Sequence, residues 1–144
     1  MTYATAEDLV TRFGEVTLAQ LTDRGELPDG KPDDVVLTAV LTDATETIDG
    51  YAAARYRTPL SPVPAPVRRW CADMAVYYLY VATGNVPDDV RKAFEDAMAG
   101  LKDMSKGVIT FQCEGVVTES APSSGDILVS VPPRMFTPGS LKGF

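Results

Sequence analysis

Histidine is absent from this 144-residue sequence, and cysteine occurs only twice, as Cys71 and Cys113. Without histidine no side chain titrates near neutrality unless it is perturbed, and neither a Cys–His nor a Ser–His pair can form. Zinc sites built from cysteine and histidine are excluded by ligand count. No apolar run approaches the roughly 18 residues that span a bilayer. There is no Gly-rich phosphate loop, no nucleophile elbow and no CxxC. Met1-Thr2-Tyr3-Ala4-Thr5-Ala6-Glu7-Asp8 lacks the basic start and apolar stretch of a signal peptide, so the chain is expected to stay in the cytoplasm where it is made. In that reducing compartment two distant cysteines are expected to be free thiols.

Basic residues are also scarce: 13 Lys and Arg stand against 20 Asp and Glu, a net charge of −7. The imbalance lies in residues 1–50, where eleven acids oppose Arg12, Arg24 and Lys31 for a sum of −8, leaving +1 for residues 51–144. An acidic half of this kind argues against direct nucleic-acid binding through that face. Like-charge repulsion between copies favours a monomer in dilute solution.

What is present is helical periodicity. Thr5, followed three residues later by Asp8, predicts an N-cap and an acidic capping box, with Leu9, Val10 and Phe13 on one face. Gly14 breaks this piece from a second short helix over residues 15–21, and residues 23–32 read as a loop rich in breakers. A first long helix is predicted from about Pro32 to Tyr56, with Val36, Val40, Leu41, Ala44, Ile48, Tyr51, Ala52 and Arg55 in the i, i+3, i+4 pattern. Gly50 inside it costs about 1 kcal/mol relative to alanine, which a close approach by another helix would explain. Four prolines (Pro59, Pro62, Pro64, Pro66) make a stiff connector. A second long helix is predicted from Ala65 to Thr83, stopping at Gly84, and a third from near Pro87 to Gly107. Ile48, Trp70, Met74, Phe94 and Leu101 are expected in the core, and Tyr77, Tyr78 and Tyr80 cannot all point inward.

Beyond Gly107 the period changes. Residues 108–111, 115–118 and 126–131 are β-like runs, and residues 132–144 form an extended tail without helical pattern. The predicted fold is therefore mainly α: a compact bundle of three long helices plus short N-terminal helices (1–107), a β-like arm (108–131) and a C-terminal docking tail (132–144). The tail carries Arg134 and four apolar side chains without a local partner: Met135, Phe136, Leu141 and Phe144. Such a segment is expected to be either disordered or ordered by another chain.

Two clusters have site-like composition. Asp43, Glu46 and Asp49 recur every third residue, but a magnesium or calcium site needs converging ligands from elsewhere, and no second carboxylate pattern supplies them. A stripe facing solvent or a channel is the reading preferred. Arg68 and Arg69 beside the prolines suggest ion pairs or a subunit contact in preference to a phosphate site.

An ordered series of short motifs resembles the phage Mu gp36-like family across nearly the whole chain. It opens with Tyr3-Ala4-Thr5-Ala6-Glu7-Asp8-Leu9 and Arg12-Phe13-Gly14-Glu15. It continues through Gln20-Leu21-Thr22-Asp23, Ile48-Asp49-Gly50-Tyr51, Ala54-Arg55-Tyr56 and Cys71-Ala72-Asp73-Met74-Ala75. It closes with Pro133-Arg134-Met135-Phe136 and Leu141-Lys142-Gly143-Phe144. The resemblance implies a structural virion protein, not an enzyme and without a cofactor. The role implied is a head-completion adaptor of the head–tail connector, in the virion neck. Its implied partners are the portal protein, copies of itself in a dodecameric ring, and a downstream tail or stopper protein. DNA would pass through without specific binding, with Asp43, Glu46 and Asp49 as possible channel lining. The alternatives are a tail-terminator or tail-completion protein, which would be richer in β-structure, and a carboxylate-dependent hydrolase.

Overall fold

The computed structural model describes residues 1–23 and 30–115. Five helices run in order: α1 (Ala6–Phe13), α2 (Glu15–Thr22), α3 (Asp34–Ala52), α4 (Ala65–Thr83) and α5 (Asp88–Lys106). The mainly α architecture with three long helices and two short N-terminal ones is thus as the periodicity predicts. Helix α4 packs on both α3 and α5, and the α1–α2 pair closes over α3 and α4.

Local signals set most helix ends. Thr5 caps α1 with its side chain accepting from the Asp8 N–H, while the Asp8 carboxylate accepts from the Thr5 N–H at 2.9 Å. Gly14, at φ 88°, is both the end of α1 and the start of α2, a backbone setting that an L side chain resists. Asp33 caps α3 by accepting from the Val35 N–H at 2.9 Å. Buried Thr22 ties the end of α2 to this cap by accepting from the Asp33 N–H at 2.9 Å. Helices α4 and α5 end on Gly84 and Gly107, as predicted.

Helix α3 is shorter than its sequence pattern at both ends. It starts two residues after Pro32 because Asp33 serves as cap rather than as first turn. It stops at Ala52 because Arg55 and Tyr56 both donate to the Ala52 carbonyl, turning the chain so that the Tyr56 side chain enters the core. Arg55, expected on the buried face, lies exposed and covers Gly107, the C-cap of α5, instead.

The core differs in register from the predicted one in a few places. Ile48, Met74 and Leu101 are fully buried, whereas Trp70 and Phe94 are only half-buried. Leu37, absent from the predicted stripe of the first long helix, is buried, as are Val76 and Leu79 of α4, while Val81 near the end of α4 is exposed. All three clustered tyrosines are half-buried: Tyr77 stacks on Phe94 at 3.9 Å between centroids, and Tyr78 meets the same ring edge-on.

Residues 108–113 form no strand, contrary to the expected β-like arm, whose remainder (116–131) lies outside the described residues. Instead this piece is a strap laid against the α3–α4 loop. The Phe111 N–H donates to the Tyr56 hydroxyl at 2.9 Å, the Glu114 N–H to the Ser61 carbonyl at 2.6 Å, and the Arg57 N–H to the Gly115 carbonyl at 3.1 Å. The Phe111 ring sits edge-on to Trp70 at 6.0 Å. With partners already in the loop, these residues need no β-ladder.

The close helix approach expected at Gly50 is found at Gly100. A Cβ on Gly50 would meet nothing within 4 Å, whereas one on Gly100 would lie 2.4 Å from the Trp70 ring. The two glycines therefore predict opposite results. Gly100→Ala should destabilise by about 1–3 kcal/mol through overpacking. Gly50→Ala, on an exposed helical turn, should stabilise by up to about 1 kcal/mol. Urea unfolding of the two variants beside the unaltered chain measures both signs.

Candidate functional site

The predicted site residues fall into two groups. The docking residues Arg134, Met135, Phe136, Leu141 and Phe144 lie outside the described residues. Of the acidic set, Asp43 and Glu46 are exposed on one flank of α3, and Asp49 is half-buried. Asp49 is engaged within the fold, because its carboxylate accepts a short hydrogen bond from the Tyr3 hydroxyl. No group of three potential metal ligands converges among the described residues. Both cysteines are free.

Two polar nodes inside the body escaped the sequence reading. In the first, Tyr3 is only 3% exposed, and its hydroxyl donates to Asp49 while accepting from the Leu60 N–H at 2.9 Å. The N-terminal segment, α3 and the proline-rich loop thus meet at one oxygen. Burial first, and then the hydrogen bond to Asp49, push the Tyr3 phenol well above its ordinary range, so it stays a neutral hydroxyl. The pattern Tyr3…Asp49 spans 46 residues and leaves no local signal.

In the second node, Asp73 is 6% exposed in the middle of α4 and pairs with Arg12 of α1 at 2.7 Å. Arg12 also donates to the Arg69 carbonyl at 3.3 Å and lies over the Phe13 ring. Arg69 approaches Asp73 from the next turn at 3.9 Å, in keeping with the ion pair expected for it. Desolvation pushes the Asp73 carboxyl up, and the two guanidiniums pull it back only in part. An aspartate between Ala72 and Met74, in an otherwise apolar turn, was the available signal.

In both nodes the polar side chain is engaged within the fold: Tyr3 is held neutral between two partners, and Asp73 is closed in by arginines. The surface offers open grooves instead. One of about 490 Å³ lies between α1, the start of α2 and the entry to α3. Another, of about 300 Å³, runs between the N-terminal halves of α4 and α5, with mixed charge from Arg69, Asp89, Lys92 and Asp96. No helix among the described residues is long and apolar enough to cross a membrane.

The nodes make two measurable statements. Tyr3→Phe leaves the buried Leu60 N–H without its acceptor and should cost about 1–3 kcal/mol in a denaturation experiment. For Asp73, a folded-state carboxyl raised above its unfolded value binds protons more tightly when folded. Its contribution is therefore greatest at acid pH and declines as pH rises through the carboxyl's raised range. Thermal melts across this range should show the unaltered chain losing stability relative to Asp73→Asn as pH increases. A difference that is flat, or that grows in the other direction, would refute the assignment.

Known proteins are similar to this sequence over most of its length. The family described as Bacteriophage Mu, Gp36 matches residues 3–129. "Gene product J" of Escherichia phage Mu is 36% identical over 132 residues, covering 91% of this chain and 89% of the relative. "Mu-like prophage FluMu protein gp36" of Haemophilus influenzae is 34% identical over 109 residues, covering 75% of this chain and 74% of the relative. The span matched by the family, residues 3–129, takes in both polar nodes, every helix and the strap, and on these matches the chain belongs to the bacteriophage Mu Gp36 family and is a phage protein.

Proposed function

We propose that this phage protein is a head-completion adaptor, one subunit of a ring that docks on the portal and joins capsid to tail. The observation that carries the reading is the division of labour along the chain. In the described body the buried polar side chains are satisfied internally, with no buried side-chain nitrogen or oxygen left unpaired. By contrast, residues 132–144 carry Met135, Phe136, Leu141 and Phe144 with Arg134 and Lys142, and no acid. A settled helical body with an apolar, basic segment after it suits a part that assembles on other chains. The helical body also favours an adaptor over a tail-terminator or tail-completion protein, for which more β-structure is expected.

In this reading copies surround the DNA channel, the portal lies on one side, and a tail or stopper protein lies on the other. The segment 132–144 docks on the portal or on a neighbouring copy, burying its apolar side chains at roughly 1.5–3 kcal/mol each before ordering costs. Asp43 and Glu46, exposed on α3, would give a channel wall that repels phosphates and leaves the duplex free to slide. Asp49 would contribute less, being held by Tyr3.

The test is deletion of residues 132–144, with far-ultraviolet circular dichroism for folding and sedimentation with portal-bearing heads for attachment. The expected result is an unchanged helical signal and loss of attachment. A truncated chain that folds and still attaches would remove the segment from the docking role.

A further inference from the structure

We infer that the groove between α1, α2 and the entry to α3 receives residues 132–144 of a neighbouring copy. This deepens the connector reading and rests on it. The groove, of about 490 Å³, has Val10, Pro32 and Leu37 among its apolar lining. Three acids, Glu7, Glu15 and Asp34, border it against one cation, Lys31, which leaves a local charge of −2.

The occupant is argued from charge and reach. Residues 132–144 carry Arg134 and Lys142 and no acidic side chain, so the segment's +2 answers the groove's −2. Its apolar side chains can meet Ala6, Val10 and Pro32, the half-buried apolar residues of the lining, and Pro132, Pro133 and Pro138 reduce the conformational freedom lost on docking. The described chain ends at Gly115, bonded to Arg57 beyond the C-terminal end of α3, whereas the groove lies at the opposite end of that helix. Helix α3 is about 28 Å long, and the sixteen residues 116–131 can span up to roughly 53 Å, enough to cross to an adjacent copy. A tail-to-groove contact is heterologous: each copy gives a segment on one side and accepts one on the other, which is the contact a closed ring requires.

The experiment uses the full chain with a benzophenone photo-crosslinker in place of Phe136, mixed as isotopically light and heavy copies and concentrated stepwise. Cross-links between light and heavy copies that map to the peptides holding Val10 or Pro32 are the expected result. Cross-links confined within one copy, cross-links elsewhere on the surface, or none at the highest concentration would overturn it. Charge exchange gives a second arm. Glu7→Lys with Glu15→Lys, and separately Arg134→Glu with Lys142→Glu, should each weaken self-association about tenfold, from two lost charge contacts. Mixing the two variants should restore association, whereas restoration only when all four changes share one chain would assign the groove to the chain's own tail and overturn the inference. Circular dichroism confirms folding, and Glu7→Gln with Glu15→Gln serves as the milder pair. Attachment to portal-bearing heads is scored in parallel. Groove-reversed chains that attach normally remove the groove contact and leave the connector reading standing. An unaltered chain that never attaches removes the connector reading and the inference with it.

Discussion

Helix α4 is buried along six consecutive residues, Cys71 to Val76, and this enclosure is the constraint from which the rest of the body follows. A helix covered on every side needs a neighbour on every side. Helix α3 supplies one wall, α5 the second, and the α1–α2 pair the third. The second wall can approach only because α5 carries Gly100 where the Trp70 ring lies. The third is fixed by Arg12, which reaches into the bundle to the one carboxylate that α4 places inside. An aspartate at that depth is tolerable only with a cation beside it, so the position of α1 and the sequence of α4 are linked.

That linkage explains which parts of the fold could be read from residues and which could not. The capping box at Thr5 and Asp8, the proline-led start of α4 and the glycine ends of α4 and α5 are local devices, and local patterns find them. Ala65–Thr83 is read to the residue for that reason. What failed depended on distant partners. Residues 52–56 continue a helical pattern, yet the Tyr56 hydroxyl is the partner of the strap's Phe111 and its ring belongs in the core. Residues 108–111 have the composition of a strand, but strand propensity describes a half-buried surface, and the α3–α4 loop supplies that surface without a ladder. Gly50 and Gly100 look alike in sequence, and only the placement of Trp70 separates them.

The same argument bears on the candidate sites. Asp43 and Glu46 lie exposed on α3, but Asp49, identical in spacing, is drawn inward by a tyrosine 46 residues earlier. Periodicity along one helix cannot report such a claim from another segment. The family resemblance was legible because it rests on an ordered series of motifs, several of which contain the residues of the two nodes: Tyr3, Arg12, Asp49 and Asp73. These are the residues that hold this body together, so the motifs that carry the resemblance run through its internal framework.

The strap has a mechanical meaning. Its backbone is stitched to the α3–α4 loop by hydrogen bonds at Phe111, Glu114 and Gly115, and its Phe111 ring is wedged against Trp70. Tension applied to the chain beyond residue 115 therefore enters the body through the proline-rich loop before it can peel the last turn of α5. From the loop it passes to Leu60 and so to the oxygen of Tyr3, where the N-terminal segment and α3 share it. A pull on the C-terminal side is spread over three segments of the bundle at once, as a guy rope spreads wind load into several anchors.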